Sequence, residues 1–209
     1  MDLVAVFGGT FDPIHCGHLR TVAQVQRTID LGSVHFVPAR QPPHRHAPRA
    51  SAGHRLEMVR LALAAYPLFV ADDRELARPG PSYTVDTLRS FRTELGEARP
   101  LGVILGLDAF LGISDWHDWR AILGLAHLLV MQRPGWSPPD TRPDWWTAAH
   151  CVSAQMLDTR PGGLIHMVAV QPVEVSASEV RRRLHRGDSV AHQMPAVVAS
   201  YIQRHGLYQ

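Results

Sequence analysis

The 209-residue chain contains no lysine, and all 21 of its basic residues are arginine. A permanent positive charge on a bound phosphate must therefore come from a guanidinium group, which can donate two parallel hydrogen bonds. The net charge of +2 gives no support to nucleic-acid binding driven by bulk charge. The two cysteines, Cys16 and Cys151, are too few for a disulfide framework and lack the spacing of a metal site.

Long apolar runs are missing as well, since none reaches the length of a membrane-spanning helix. The sequence opens with a predicted strand rather than with the basic and apolar segment of a secretory signal, so we expect a cytoplasmic protein. The length is typical of one domain, and we interpret residues 1–209 as a single domain with a small elaboration.

Apolar runs of strand length alternate with amphipathic helical patterns along the chain. We predict strands over residues 4–7, 34–37, 68–71, 101–105, 128–131 and 164–170, and helices over residues 18–29, 53–66, 83–95, 178–185 and 195–205. This alternation predicts an α/β fold with a doubly wound (Rossmann-like), mostly parallel sheet and helices on both faces. We interpret 132–163, which is rich in Pro, Trp, Asp and Gly, as an irregular insertion, and 176–209 as a C-terminal helical segment.

The most informative motif follows the first strand and reads Gly8-Gly9-Thr10-Phe11-Asp12-Pro13-Ile14-His15-Cys16-Gly17-His18. Glycines let the backbone approach an anion closely, and the helix that follows offers unpaired N–H groups at its N-terminus. His15 and His18 are three residues apart and face the same side of that helix. A metal pair is the alternative, but no third ligand follows at a suitable spacing. The motif therefore favours a phosphate site in which histidine stabilises the charge of a transition state.

Several weaker motifs have a plain structural interpretation when taken alone. Ser176 and Ser178 lie at the start of a predicted helix and could simply cap it, as could Ser82 or Thr84 at another. The Pro42-Pro43-His44-Arg45 segment is by default a surface loop. The aromatic residues of Asp115-Trp116-His117-Asp118-Trp119 could pack into the core.

The first motif resembles the T/HxGH signature of the nucleotidyltransferase superfamily, and its longer form is similar to that of the bacterial nicotinate-nucleotide adenylyltransferases. The weaker motifs match segments of the same family in the right order, and the resemblance extends to Gly206-Leu207-Tyr208. It implies the nucleotidyltransferase fold and a reaction of NAD biosynthesis. In that reaction AMP passes from ATP to nicotinic acid mononucleotide, giving nicotinic acid adenine dinucleotide and pyrophosphate.

The resemblance also implies roles for individual residues. The implied catalytic residues, which also contact the ATP phosphates, are His15, His18 and Arg181, with His18 the principal stabiliser of the transition state. The other implied ATP-binding residues are Gly8, Gly9, Thr10, Phe11, Gly106, Asp108, Arg133, Ser176 and Ser178. The implied mononucleotide-binding residues are His44, Arg45, Ser82, Tyr83, Thr84 and Trp116, with backbone near Thr84 meeting the carboxylate and Trp116 stacking on the pyridine ring. Leu107 departs from the family, which often has a polar residue there.

The implied cofactor is Mg²⁺, held by the ATP phosphates, and we expect no metal ligands among the protein side chains. The expected partners are ATP and nicotinic acid mononucleotide, without nucleic acid or membrane, and the sequence leaves open whether the chain forms a homo-oligomer. A sister enzyme that uses nicotinamide mononucleotide, phosphopantetheine or a cytidine nucleotide is the nearest alternative. A module that senses ATP without turnover would not need all of His15, His18 and Arg181, and the low charge disfavours a nucleic-acid binder.

Overall fold

The structure is a computed structural model that describes residues 2–42 and 47–209, in which strands and helices alternate. The strands are β1 (Val4–Gly9), β2 (Ser33–Pro38), β3 (Phe69–Ala71), β4 (Leu101–Gly106), β5 (His127–Gln132), β6 (His150–Cys151) and β7 (Ile165–Ala169). The helices are α1 (Cys16–Ile29), α2 (Ala52–Leu63), α3 (Arg74–Ala77), α4 (Thr84–Leu95), α5 (Leu107–Leu111), α6 (Trp119–Leu125), α7 (Asp144–Ala149), α8 (Ala177–His185) and α9 (Ala196–Arg204). Every predicted strand and helix is present, with ends that differ by three residues or fewer.

The strands form one seven-stranded sheet in the order β3-β2-β1-β4-β5-β7-β6. The pairings of β1 with β4, β4 with β5, β5 with β7 and β6 with β7 are all parallel. The predicted parallel α/β fold is therefore confirmed. Strand order reverses at β1, and in such sheets ligands bind beyond the carboxyl ends of the strands where the order reverses. The Gly8–His18 motif begins at that end of β1.

The chain divides into two compact units. Unit 1 consists of Met1–Phe7, Gln24–Val34 and Tyr83–Gln171, and unit 2 consists of Gly8–Ala23, His35–Ser82 and Pro172–Gln209. The interpretation of the whole chain as one domain stays a prediction.

Unit 1 is built around β4 and β5, whose apolar runs are buried as expected for central parallel strands. Gly102 of β4 leaves room for the Leu129 side chain of β5, because a Cβ there would lie 2.8 Å from that side chain. The Arg92 guanidinium of α4 donates to the carbonyl oxygens of Leu125 and Pro161, at 2.6 and 2.7 Å, and so ties two loops to that helix. Segment 132–163, predicted as irregular, contains α7, β6 and the 3₁₀ helix Ala154–Asp158.

Unit 2 contains the turn that follows β1, the first part of α1, and the helices α2, α8 and α9. Ser51 caps α2 by accepting from the His54 N–H at 3.3 Å, which satisfies one of the unpaired donors of a helix N-terminus. The helix packs against α9 and β3. In the part of the chain that is described, no helix is long and apolar enough to cross a bilayer.

Candidate active site

The turn between β1 and α1 is held in an unusual backbone conformation. Phe11 has a φ of +48°, in the left-handed region that non-glycine residues rarely adopt, and its side chain is almost completely buried. Gly9 makes room for it, because a Cβ at that position would lie 2.8 Å from the Phe11 ring. Backbone strain of this kind persists where the surrounding structure fixes it, and it is common at ligand sites.

His15 and His18 form a stacked pair at the start of α1. Their ring centroids are 3.7 Å apart with an interplanar angle of 25°, and the His15 backbone N–H donates to His18 Nδ1 at 3.3 Å. Because Nδ1 of His18 accepts, the neutral His18 ring carries its proton on Nε2. Burial lowers the pKa of His15 from 6.5 to about 4, so His15 is neutral at pH 7 and acts as a hydrogen-bonding group rather than as a cation. Its Nδ1 is buried and has no hydrogen-bond partner in the part of the chain that is described.

Gly17 separates the two histidines because nothing larger fits there. A Cβ at this position would lie 2.8 Å from the His15 ring and 3.1 Å from the carbonyl oxygen of Val175. Val175 is the residue just before the Ser176–Arg181 motif, so this close approach brings the second predicted phosphate motif beside the first.

The second motif opens α8. Ser176 is the N-cap, and its Oγ accepts from the Glu179 N–H at 3.2 Å, as the simple capping interpretation predicts. Ser178 lies in the first turn and accepts from Arg181 Nη2 at 3.3 Å. Arg181 Nη1 also donates to the backbone carbonyl of Asp12 at 2.6 Å. The structure therefore brings Ser176, Ser178 and Arg181 together with the Gly8–His18 turn in unit 2.

Asp12 is the centre of a buried network that the sequence analysis did not assign to the site. Its carboxylate accepts from the Tyr208 hydroxyl at 2.7 Å and from the N–H groups of Arg49 and Ala50 at 2.8 and 3.0 Å. Arg55, only 1% exposed, donates to the carbonyl oxygen of Thr10 in the same turn at 2.8 Å. Asp12 stands inside the recognised motif, but nothing in the sequence pairs it with residues so far along the chain.

Ser82 is hydrogen-bonded to Arg40 and Gln41, which lie just before the predicted ligands His44 and Arg45 in the sequence. Its Oγ accepts from the Arg40 N–H at 2.9 Å, and its own N–H donates to the carbonyl oxygen of Gln41 at 3.0 Å. These contacts replace the predicted capping role, because Tyr83 is the N-cap of α4. The predicted ligands His44 and Arg45 lie outside the described residues.

In unit 1, three of the predicted ATP-binding residues, Gly106, Asp108 and Arg133, lie at one edge of the sheet. Gly106 ends β4 and pairs with Met131 of β5, and Arg133 follows β5 directly. Asp108 lies in the first turn of α5, which starts immediately after Gly106 with Leu107 as its first residue. Because β4 and β5 are parallel, all of these positions belong to the carboxyl ends of neighbouring strands.

Three of the predicted mononucleotide-binding residues, Tyr83, Thr84 and Trp116, belong to unit 1. Tyr83 and Thr84 form the start of α4, and Trp116 follows the 3₁₀ helix Ile113–Asp115. The Tyr83 ring stacks on the ring of His117, the residue after Trp116, with centroids 4.3 Å apart. Trp116 is half-buried.

The residues that are described contain no group of three or more His, Cys, Asp or Glu side chains that could hold a metal ion. The donors around α1 and α8 are instead N–H groups, imidazoles and a guanidinium, which suit an anion.

Comparison with known proteins places this arrangement in a class. The cytidylyltransferase-like family model matches residues 6–183, and the chain belongs to that family. Within it, a Yersinia pestis (strain Pestoides F) protein named probable nicotinate-nucleotide adenylyltransferase is 43% identical over 211 residues, covering 100% of this chain and 96% of the relative. A Serratia proteamaculans protein of the same name is 44% identical, covering 99% of this chain and 96% of the relative. The resemblance to nicotinate-nucleotide adenylyltransferases is therefore confirmed.

Solved structures support the fold at lower sequence identity. Plasmodium falciparum nicotinic acid mononucleotide adenylyltransferase complexed with NaAD superposes with a TM-score of 0.73 at 16% identity, covering 100% of this chain and 98% of that one. A Vibrio parahaemolyticus structure described as a nicotinate-nucleotide adenylyltransferase gives 0.67 at 14% identity. Both matches extend over the whole chain.

Proposed function

We propose that this chain transfers AMP from ATP to nicotinic acid mononucleotide, with nicotinic acid adenine dinucleotide and pyrophosphate as products. The observation that carries the proposal is the joining of the two phosphate motifs in unit 2, where Arg181 binds the backbone of Asp12 and Gly17 meets Val175. Full-length relatives with the nicotinate-nucleotide adenylyltransferase name support the same substrate pair.

The reaction is an in-line displacement at phosphorus. An oxygen of the mononucleotide 5′-phosphate forms a bond to the α-phosphorus of ATP, the bond from that phosphorus to the α,β-bridging oxygen breaks, and pyrophosphate leaves with the electron pair. No protein nucleophile takes part, so the protein contributes positioning and electrostatic stabilisation.

The donors of unit 2 match the charge that this step creates. His18 offers Nε2–H from a ring that His15 fixes by stacking and by its backbone N–H, so little reorganisation is needed in the transition state. Arg181 supplies the permanent positive charge and is already oriented by Asp12 and Ser178. The N-terminus of α8 adds backbone N–H groups and the positive end of the helix dipole for the β- and γ-phosphates.

We propose that Mg²⁺, if bound, would be held mainly by the phosphate oxygens of ATP and would supply positive charge to the polyphosphate in addition to that of Arg181. The donor set around α1 and α8 is anion-binding rather than metal-binding, which fits a metal carried by the nucleotide. The protein residues then orient the polyphosphate and exclude water from it.

We infer that the acid form of the mononucleotide is preferred. The N-terminus of α4 at Thr84 presents backbone donors, and Trp116 presents a flat aromatic face within the same unit. Such donors form charge-assisted hydrogen bonds with a carboxylate, whereas an amide in the same place loses them. A loss of roughly 10²-fold in kcat/KM is expected when such groups stay unpaired.

The test is pyrophosphate release from ATP and Mg²⁺ with nicotinate and nicotinamide mononucleotides at matched concentrations. Strong preference for the acid supports the proposal, and equal use would show that the carboxylate site is wrongly assigned. Release with neither mononucleotide would overturn the proposed substrate. A cytoplasmic location, the oligomeric state and the roles of the individual residues stay predictions.

A further inference from the structure

The segment that carries Trp116 is held on its C-terminal side by two contacts, one to the N-cap residue of α4 and one to α4 itself. His117 stacks on Tyr83, with ring centroids 4.3 Å apart and planes 27° apart. Asp118 Oδ2 accepts from Arg89 Nη2 at 2.6 Å. Here these two contacts together are called the Trp116 clamp. The two contacts of the clamp hold His117 and Asp118, the residues that directly follow Trp116.

Asp118 departs from the usual behaviour of an N-cap residue and instead forms the ion pair with Arg89. It is the N-cap residue of α6, a position where an aspartate normally accepts a hydrogen bond from the first turn, yet its side chain makes no such bond. It also adopts the left-handed conformation, with φ 47° and ψ 41°. The carboxylate is directed to Arg89 instead of to the helix, so α6 gives up a cap and accepts a strained residue.

A contribution to folding stability alone does not explain why Asp118 pairs with Arg89. The side chains of Arg89 and Asp118 are 50% and 43% exposed, and exposed ion pairs contribute little to folding. Departures from local preference that gain so little stability are common where a functional side chain has to be placed.

We propose that Arg89 is a positioning residue, which fixes the Trp116 indole for the substrate's pyridine ring through its ion pair with Asp118. The inference rests on the proposed function, in which Trp116 stacks on that ring. An indole that is held before binding loses less conformational entropy when the substrate arrives. Binding of the mononucleotide therefore depends on Arg89, whereas binding of ATP does not.

The chain offers a matched control on the same helix. Arg89 Nη1 also donates to Asp86 Oδ1 at 3.3 Å, so Asp86→Ala removes one ion pair of Arg89 but leaves the Trp116 clamp in place. Arg89→Ala removes both ion pairs, and the difference between the two variants isolates the bond to Asp118. Asp118→Asn serves as a second variant, because asparagine tolerates the left-handed conformation while losing the charge.

Steady-state kinetics give the first readout. In Arg89→Ala we expect the KM for nicotinic acid mononucleotide to rise about threefold to fivefold, the range of one exposed ion pair, with kcat and the KM for ATP within about twofold of wild type. Asp118→Asn should move in the same direction by less, and Asp86→Ala should leave both KM values within about twofold. Equal changes in both KM values in Arg89→Ala would overturn the inference.

A second readout needs no substrate and so separates this inference from the proposed function. The protein is labelled with 5-fluorotryptophan, and the Trp116 resonance is identified among the five by its loss in Trp116→Phe. We expect the ¹⁹F resonance of Trp116 to shift or broaden in Arg89→Ala and to stay unchanged in Asp86→Ala. If it is unchanged in Arg89→Ala, Arg89 does not position the indole, whatever the substrate proves to be.

Discussion

The Tyr208 hydroxyl donates a 2.7 Å hydrogen bond to Oδ1 of Asp12, and the two residues are 196 positions apart in the chain. Tyr208 is buried and has a φ of +65°, so its backbone conformation is strained as well. Burial of the Tyr208 phenol, together with its hydrogen bond to Asp12 and the negative charge of that carboxylate, raises the pKa of Tyr208, which therefore stays protonated and remains a donor. Tyr208 thus fixes the carboxylate of Asp12, the residue whose backbone carbonyl binds Arg181.

Replacing this donor should weaken both folding and catalysis. In Tyr208→Phe the buried Asp12 carboxylate loses one of its donors, and we expect a loss of about 1.5–3 kcal/mol in the free energy of unfolding, as for a hydrogen bond to a charged group. The measurement is urea denaturation, with kcat determined in parallel. Tyr201→Phe is the matched control, because it removes a 2.8 Å phenol contact to His54 that does not involve Asp12. Equal losses of unfolding free energy in Tyr208→Phe and Tyr201→Phe would show that the hydrogen bond to the Asp12 carboxylate contributes no more than the phenol contact to His54.

The α8 arginines differ sharply in what they contact. Arg181 binds the Asp12 carbonyl and Ser178, whereas its neighbour Arg182 is largely exposed and pairs with Glu179 on the surface. We expect Arg181→Ala to lower kcat by ~10²–10³, the effect of removing one preorganised donor, and Arg182→Ala to remain within about twofold of wild type. Pyrophosphate-release kinetics at saturating substrates make the comparison. Similar activities in the two variants would remove Arg181 from the catalytic machinery.

The regular elements were predictable because each carries a complete local pattern. β4 and β5 are uninterrupted apolar runs, and α1 repeats buried positions at helical spacing. The short helices α3, α5, α6 and α7 were missed, since four to seven residues are too few for a clear amphipathic repeat. Helices α5 and α7 contact each other across the chain, where the rings of Phe110 and Trp146 meet edge-on with centroids 4.7 Å apart.

In the site too, residues within one sequence motif could be predicted, whereas contacts between distant segments could not. His15, Gly17 and His18 lie in one continuous motif and can be read from it, because a helix fixes their relative positions. The contacts of Asp12 with Tyr208, and of Arg89 with Asp118, depend on how distant segments pack. No spacing rule in a single sequence encodes such pairs, so the residues that orient the site were missed.

His18 is expected to contribute mainly to the chemical step. In His18→Ala we predict a fall of ~10²–10³ in kcat with a smaller change in the KM for ATP, because its Nε2–H interacts most strongly with the charge of the transition state. His185→Ala, an exposed position on α8, is the control. A kcat close to wild type in His18→Ala would exclude the proposed role.

Trp116 is expected to affect one substrate only. Trp116→Ala should raise the KM for nicotinic acid mononucleotide by roughly tenfold, on the scale of one lost aromatic stacking contact, and should change the KM for ATP much less. Trp116→Phe keeps a flat ring and should recover most of the affinity. If both KM values rise equally in Trp116→Ala, the indole does not belong to the pyridine site.

His15 should make folding stability depend on pH. Its pKa of about 4 in the folded protein lies below the unfolded value of 6.5, because burial disfavours the charged ring. Between those values the unfolded chain binds more protons, so the contribution of His15 is complete above pH 6.5 and is lost as the pH falls towards 4. Relative to His15→Asn, the wild type should lose about 2–3 kcal/mol of unfolding free energy between pH 7.5 and 4.5.

His127 and His166, whose pKa values burial also lowers, are present in both proteins and cancel in the comparison. Urea titrations at the two pH values measure this difference, and a difference that does not change with pH would mean that His15 titrates normally in the folded protein.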